Sequence, residues 1–476
     1  MRIERVAKRV GLILLAVVIG LAAWLLIAPP TLLRIGSGYT AKIVCSNVFL
    51  AGRDADQVRR VDVQAPGNPL LRLMSVDVDR PRRVVTVAML GVIGRNQAVY
   101  REGLGCTTVP GDNVERVRAQ IAPSRAMLPP PAPTALWPMG RAVGEADPAV
   151  AALLADETLA GPGMRAMVVA RDGRIVAERY APGFRADTRL IGWSMTKTVT
   201  AALVGTVLDR FGGLEAKGLR PEWTDARRRI TLAQLLGMES GLAFNEDYGG
   251  TSDVNRMLFT APDPAAFAAA KPLAAPPGTV FDYSSGSSVI LARVFQDRFA
   301  RQEEALRWPY DMLFGPVGMR SAVLEVDGRG TFGGASFLYA DARDWARFGQ
   351  LLLQDGVWNG RQILPRGYVA WMQAPSRASG GRYGRGQVWR RLPQGMDRAG
   401  LPADTYWMLG HDGQSIAIVP SRRLVVVRMG LTPRRAGYSP APLVQRVSAS
   451  VAIGGSDRAV SKGRVVDALG LEPRTR

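Results

Sequence analysis

An uncharged apolar run from Val10 to Ala28, closed by Pro29-Pro30, constrains this chain more than any other feature. A helix over it reaches about 28 Å at ~1.5 Å per residue, close to the ~30 Å hydrocarbon core of a bilayer. Arg2, Arg5, Lys8 and Arg9 precede it against Glu4 alone. Positive charge on that flank holds the N-terminal end in the cytoplasm and sends the downstream chain across. Residues 1–30 therefore read as a single-pass signal anchor in the inner membrane, with the remainder in the periplasm. A cleaved signal peptide is the alternative, with Gly20-Leu21-Ala22 as a weak small-x-small site. Trp24-Leu25-Leu26-Ile27 carries the apolar run past that site, which favours the uncleaved anchor.

Residues 31–122 read as a small β-rich unit, a spacer or a lid with no chemistry of its own. Val84 to Met89 and Gln97 to Tyr100 are its short strand candidates. Cys45 and Cys106 flank it, and on the oxidising side of a membrane two cysteines are expected to pair. Two buried thiols are the other possibility. Pro123, Pro129-Pro130-Pro131, Pro133 and Pro138 mark a stiff linker over 123–144.

The net charge of +20 comes from 61 basic residues, of which six are lysines. The arginines are scattered, in runs such as Arg227-Arg228-Arg229 and Arg434-Arg435, rather than gathered into a stripe with interleaved aromatics. That distribution argues against nucleic acid and for attraction to an acidic surface such as anionic lipid. One histidine and two cysteines cannot build the usual zinc sites, so neither metal nor cofactor is expected.

From 145 to 440 the pattern is strands at both ends with helices between. Met164 to Ala170 and Arg174 to Tyr180 flank Asp172-Gly173, a hairpin with a turn suited to positive φ. Val199, Leu203, Val207 and Phe211 form one stripe of a helix that Gly212-Gly213 stops. Thr231 to Gln234 is a capping box. An apolar helix runs from Val289 to Phe299, and Gly333 to Ser336 introduces another with Ala342, Trp345, Phe348 and Leu352 on one face. Three strands come next, Tyr406 to Gly410, Ser415 to Val419 and Leu424 to Met429. The ends must meet in one antiparallel sheet flanked by helices, with a mostly helical subdomain inserted: an α+β fold. Residues 441–476 read as a C-terminal helix and tail.

Within this pattern Gly192-Trp193-Ser194-Met195-Thr196-Lys197 opens a helix and holds the Ser-x-x-Lys. On a helix, Ser194 and Lys197 share a face at i and i+3. A serine hydroxyl needs a base, and a neutral amine in a dry pocket serves. A chain that writes nearly every cation as arginine has here the one cation that can give up its proton. The helix N-terminus favours a developing oxyanion.

Ser194-Met195-Thr196-Lys197, then Tyr283-Ser284-Ser285, then His411-Asp412-Gly413 fall in the order of the serine β-lactamase and penicillin-binding-protein superfamily. Over roughly 145–440 the chain most resembles the class C β-lactamase branch, with its esterases, D-amino-acid peptidases and 6-aminohexanoate-oligomer hydrolases. The resemblance implies that Ser194 forms an acyl-enzyme, that Lys197 accepts its proton and that Tyr283 relays it. It implies an oxyanion hole of the Ser194 and Gln414 backbone N–H groups, with Ser285 and Gly413 against the substrate. His411 stands where the lactamases have lysine, and Ser285 replaces the asparagine of Tyr-x-Asn. Both departures weaken the β-lactamase reading and leave acyl transfer intact.

The expectation is a membrane-anchored serine hydrolase cleaving a small-molecule or peptide amide or ester, with a D-amino-acid peptidase or a β-lactamase next in order. Its rival from another class is a penicillin-recognising or ligand-sensing domain that binds without turnover.

Overall fold

In the computed structural model, which describes residues 2–64, 69–111, 113–120, 134–396 and 400–453, the N-terminal apolar run is one helix, α1 (Arg2–Ile27). Within its stretch Arg5–Ile27, an 18-residue window has a mean hydropathy of 2.9 and is not buried against the rest of the chain. Among the described residues it is the one helix long and apolar enough to cross a membrane.

The next segment departs from the β-rich reading of 31–122, because it begins with a second helix, α2 (Thr31–Phe49). Small and polar residues such as Ser37, Thr40 and Ser46 interrupt its apolar positions, so no helical stripe shows in the sequence. They are nonetheless buried, since α2 is covered on more than one side. Four antiparallel strands then form a meander in chain order: β1 (Met74–Asp79), β2 (Val84–Met89), β3 (Ile93–Arg101) and β4 (Gly105–Thr108). A disulfide between Cys45 and Cys106 ties α2 to β4.

Nor is this unit a spacer. Ile35, Ala41 and Val44 of α2 share one core with Phe259 and Phe337 of the next domain. A Cβ on Gly38 would lie 2.3 Å from the Phe259 carbonyl oxygen, so only glycine permits that approach. Polar groups reinforce the joint. Lys42 is hydrogen-bonded to the Cys106 carbonyl and ion-paired with Glu325. Glu325 also accepts from the Ser46 hydroxyl (2.9 Å) and the Cys106 N–H (2.7 Å). Asp62 is ion-paired with both Arg53 (2.8 Å) and Arg165 (2.6 Å). Of the proline-rich linker, 123–133 lie outside the described residues. Its end is docked, with Arg347 Nε donating to the Pro138 carbonyl at 2.9 Å.

In the large domain the expected hairpin is β5 (Met164–Arg171) and β6 (Arg174–Tyr180). Asp172 and Gly173 at its turn have φ of 52° and 74°, the left-handed pair such a turn requires. The three C-terminal strands, β7 (Tyr406–Gly410), β8 (Gln414–Val419) and β9 (Leu424–Gly430), complete one antiparallel sheet in the order β7-β8-β9-β5-β6. Alternate residues serve opposite layers. Val168, Ile416 and Val425 belong to the core with Trp345 and Phe348, whereas Val169, Ala417 and Val426 pack with Leu154 and Val447.

Between the two halves of the sheet the chain forms the helical part. Its main helices are α3 (Met195–Gly205), α4 (Leu232–Leu236), α5 (Ser285–Gln296) and α6 (Ala342–Leu353). Thr231 and Gln234 form the capping box of α4, and Gly212 ends the stripe after α3 in the left-handed conformation. Gly333 to Ser336 do not lead straight into α6. A short strand, Leu338–Ala340, intervenes, and Asp341 caps the helix by accepting from the Asp344 N–H. The last described helix, α7 (Ala441–Ile453), lies on the outer layer. The tail beyond it falls outside the described residues.

Candidate active site

α3 is buried along its whole length, and its first turn carries the candidate residues Ser194 and Lys197. Trp193 sits at a φ of 46°, an uncommon conformation for a bulky residue. Gly192 before it lies against Trp345, where a Cβ would come within 2.2 Å of the indole. This tight turn sets Ser194 at the N-cap of α3 with a hydroxyl that caps nothing. That hydroxyl instead accepts from Lys197 Nζ at 2.9 Å.

Lys197 is 1% exposed. Its ammonium also donates to the Ser285 hydroxyl (2.9 Å) and the Ala335 carbonyl (3.2 Å). Burial lowers its pKa from 10.5 to about 8, and the charge of Glu246 holds it from falling further. A neutral amine is thus within reach near neutral pH.

Tyr283 completes the group from the turn before α5. Its phenol lies close to the Ser194 hydroxyl, and its ring centroid lies 5.0 Å from Lys197 Nζ. Burial, with Glu246 adding to it, drives the phenol well above its usual pKa, so it is a proton donor in the resting site. The Tyr283 ring packs on Trp389 and Tyr383, with centroids 5.3 and 5.8 Å away.

Ser285 is fully buried. Its hydroxyl accepts from Lys197 and donates to Glu246 Oε1 at 2.5 Å, while its N–H donates to Glu246 Oε2 at 2.7 Å. Both capacities of the hydroxyl are engaged inside the protein, not turned toward open space as a substrate contact would be. Glu246 is a site residue that the sequence did not announce. Burial raises its pKa, and Lys197 with the two bonds from Ser285 opposes the rise. Tyr248, two residues on, is a second. Its hydroxyl is buried near Ser285 and Ser336 but forms no well-directed hydrogen bond.

The third motif comes directly after β7. His411 is stacked on Tyr248 with ring centroids 4.6 Å apart and meets the edge of Trp193 at 5.7 Å. Its Nε2 lies 3.4 Å from Asp412 Oδ1. Asp412 and Gly413 both have positive φ, 57° and 83°, and the Gly413 carbonyl accepts from Arg428 at 2.9 Å. Gln414 opens β8, its side chain locked to Gly430 by its Oε1, which accepts from the Gly430 N–H at 2.8 Å. A Cβ on Gly410 would lie 2.3 Å from the Gly192 carbonyl, so the end of β7 runs directly beside the turn that leads into Ser194. No cluster of three or more His, Cys, Asp or Glu side chains suited to a metal occurs among the described residues.

A serine whose hydroxyl meets a buried lysine and a tyrosine, under the edge of an antiparallel sheet, defines a class of acyl-transfer site. The family model of the Beta-lactamase domain matches residues 149–432, and the chain belongs to that family. A 6-aminohexanoate-dimer hydrolase of Paenarthrobacter ureafaciens is 28% identical over 221 residues, 43% of this chain and 55% of the relative. An uncharacterized protein of Alkalihalophilus pseudofirmus is 31% identical over 107 residues, 21% of this chain and 32% of the relative. The chain thus spans about a third and just over half of the lengths of these curated relatives. Among solved structures, a protein of Bacteroides dorei described as a beta-lactamase has a TM-score of 0.50 at 22% identity. That match covers 63% of this chain and 96% of the other, and shows the shared α+β fold. A penicillin-binding-protein homologue from Caulobacter crescentus is similar at a TM-score of 0.49 and 17% identity, over 65% and 99% of the two chains.

Proposed function

We propose that this protein is a membrane-anchored serine hydrolase that cleaves an amide or ester through an acyl-serine intermediate. The observation that carries the reading is the buried Lys197 ammonium 2.9 Å from the Ser194 hydroxyl. In the neutral state Lys197 takes the proton as Ser194 Oγ attacks the carbonyl carbon. The Ser194 and Gln414 N–H groups hold the oxyanion that develops. Tyr283 passes the proton to the leaving alcohol or amine, and the same groups then activate water to release the acid. Glu246, through Ser285, keeps Lys197 in register for both halves. Histidine at 411 in place of a fixed lysine charge favours ester or amide substrates over β-lactams. Helix α1 serves as the anchor, with the basic flank in the cytoplasm and the catalytic domain in the periplasm.

The test is hydrolysis of p-nitrophenyl butyrate by the full chain in detergent and by Ser194→Ala, with nitrocefin alongside. Ester turnover lost in the variant supports the reading, and the ratio to nitrocefin ranks esterase against lactamase. No turnover, with no acyl adduct in the intact mass, overturns it in favour of a binding domain.

A further inference from the structure

A cleft of about 480 Å³ lies between the start of α2 and the large domain, within the range of small-molecule sites. Its inner end is Trp193, Tyr248 and His411, the aromatic group beside the nucleophile turn. Its walls are apolar, with Leu33, Leu71 and Met74 among them. Its outer lip includes Leu32 of α2, a few residues after the membrane-length helix ends at Ile27. The cleft therefore leads from the foot of the anchor to Trp193, the residue before Ser194 in the chain, while Ser194, Lys197 and Tyr283 themselves do not line it.

The surface around that foot is unusual in the same sense. Leu70, Leu73, Leu90 and Val92 are 37%, 44%, 62% and 63% exposed, large apolar side chains turned to the outside of the protein. They are neighbours: the Leu90 N–H donates to the Leu73 carbonyl at 2.9 Å. Gly94, just beyond Val92, lies against Leu33. Exposed apolar patches of this kind mark membrane or partner contacts. Arg434 and Arg435 line the cleft and are exposed, as are Arg34 and Arg72, so the rim carries the charge that attracts anionic head groups.

We propose that this cleft receives the acyl chain of an anionic membrane lipid and delivers its ester or amide carbonyl to Ser194 from the bilayer side. The inference rests on the hydrolase function and deepens it by naming the substrate class. The reaction balances as hydrolysis: the Ser194 Oγ–carbon bond forms, the carbon–oxygen or carbon–nitrogen bond breaks, and the leaving group takes the proton. Water then releases the fatty acid.

The test uses the full chain in nanodiscs containing phosphatidylglycerol. We expect kcat/KM for p-nitrophenyl laurate to exceed that for the butyrate at least tenfold. Leu70→Asp and Leu32→Trp, both in the cleft, should lower the ratio of laurate to butyrate kcat/KM about tenfold. Phosphatidylglycerol with a diazirine in its acyl chain should crosslink to peptides containing Leu32 or Leu71, in Ser194→Ala as well. Ser194-dependent hydrolysis with no chain-length preference and no crosslinking overturns the lipid inference alone. Crosslinking without any Ser194-dependent turnover supports the cleft as a lipid site and overturns the hydrolase function. Absence of both overturns both.

Discussion

Glu246 grips Ser285 with both carboxylate oxygens, one on the N–H at 2.7 Å and one on the hydroxyl at 2.5 Å. Through that hydroxyl it reaches Lys197 Nζ. Glu246→Gln keeps the volume but turns an amide donor toward one of two groups that both donate. Removing the anion also lowers the Lys197 pKa, since Glu246 is the charge that raises it. The variant should lose about tenfold in kcat/KM, and its acid limb should move to lower pH by roughly one unit. A pH series of ester hydrolysis checks both; an unmoved limb would assign Glu246 to packing alone.

The pH dependence of the parent enzyme follows from Lys197 itself. Only the neutral amine can accept the Ser194 proton, and its pKa lies at about 8. As pH rises through that value the neutral fraction grows, so kcat/KM should climb with a midpoint near 8 and level off above it. Lys197→Arg fixes the charge and should cost about a thousandfold, with no recovery at high pH.

The joint between the two units can be tested by stability. Lys42 and Glu325 are 4% and 1% exposed as a pair. Glu325→Ala leaves the ammonium buried without a counter-charge and strips acceptors from Ser46 and the Cys106 N–H. Loss of one partner of a buried pair costs about 3–5 kcal/mol. Urea unfolding should show a loss of that size, and Lys42→Met with Glu325→Leu together should recover part of it.

The disulfide makes a separate contribution. Cys45 and Cys106 are separated by 61 residues in the chain, and cross-linking a loop of that length stabilises by ~4 kcal/mol on the chain-entropy model, less in most measured cases. Cys45→Ala with Cys106→Ala should lower the unfolding free energy by about 2–4 kcal/mol. Equilibrium unfolding with and without reductant gives the same comparison in the parent protein.

The parts of this fold that sequence reasoning reached are those with local chemistry. Asp172-Gly173 needs positive φ, Thr231 with Gln234 is a reciprocal cap, and the alternation in β8 and β9 is a two-sided sheet strand. Each is decided within a few residues. That Ser194, Lys197 and Tyr283 come together was legible because the order of three short motifs survives the long insertions between them. Glu246 and Tyr248 were not. They stand on an aperiodic loop, and what brings Glu246 to Ser285 is packing across many residues of intervening chain. Helix α2 was hidden for a related reason. It is surrounded by protein, so its buried face includes Ser37, Thr40 and Lys42 and shows no amphipathic stripe.

The fusion of α2 with the large domain has a mechanical consequence. Only Ala28, Pro29 and Pro30 separate α1 from a helix that is cemented to the catalytic body. An enzyme on a long tether sweeps a volume and samples many distances from the surface that holds it. With α1 as the proposed anchor, the short stem would hold Ser194 at one height and one tilt above the surface in which α1 is seated. Reach becomes a property of geometry, and a few residues inserted after Ile27 would change which bonds the serine can meet without altering the site at all.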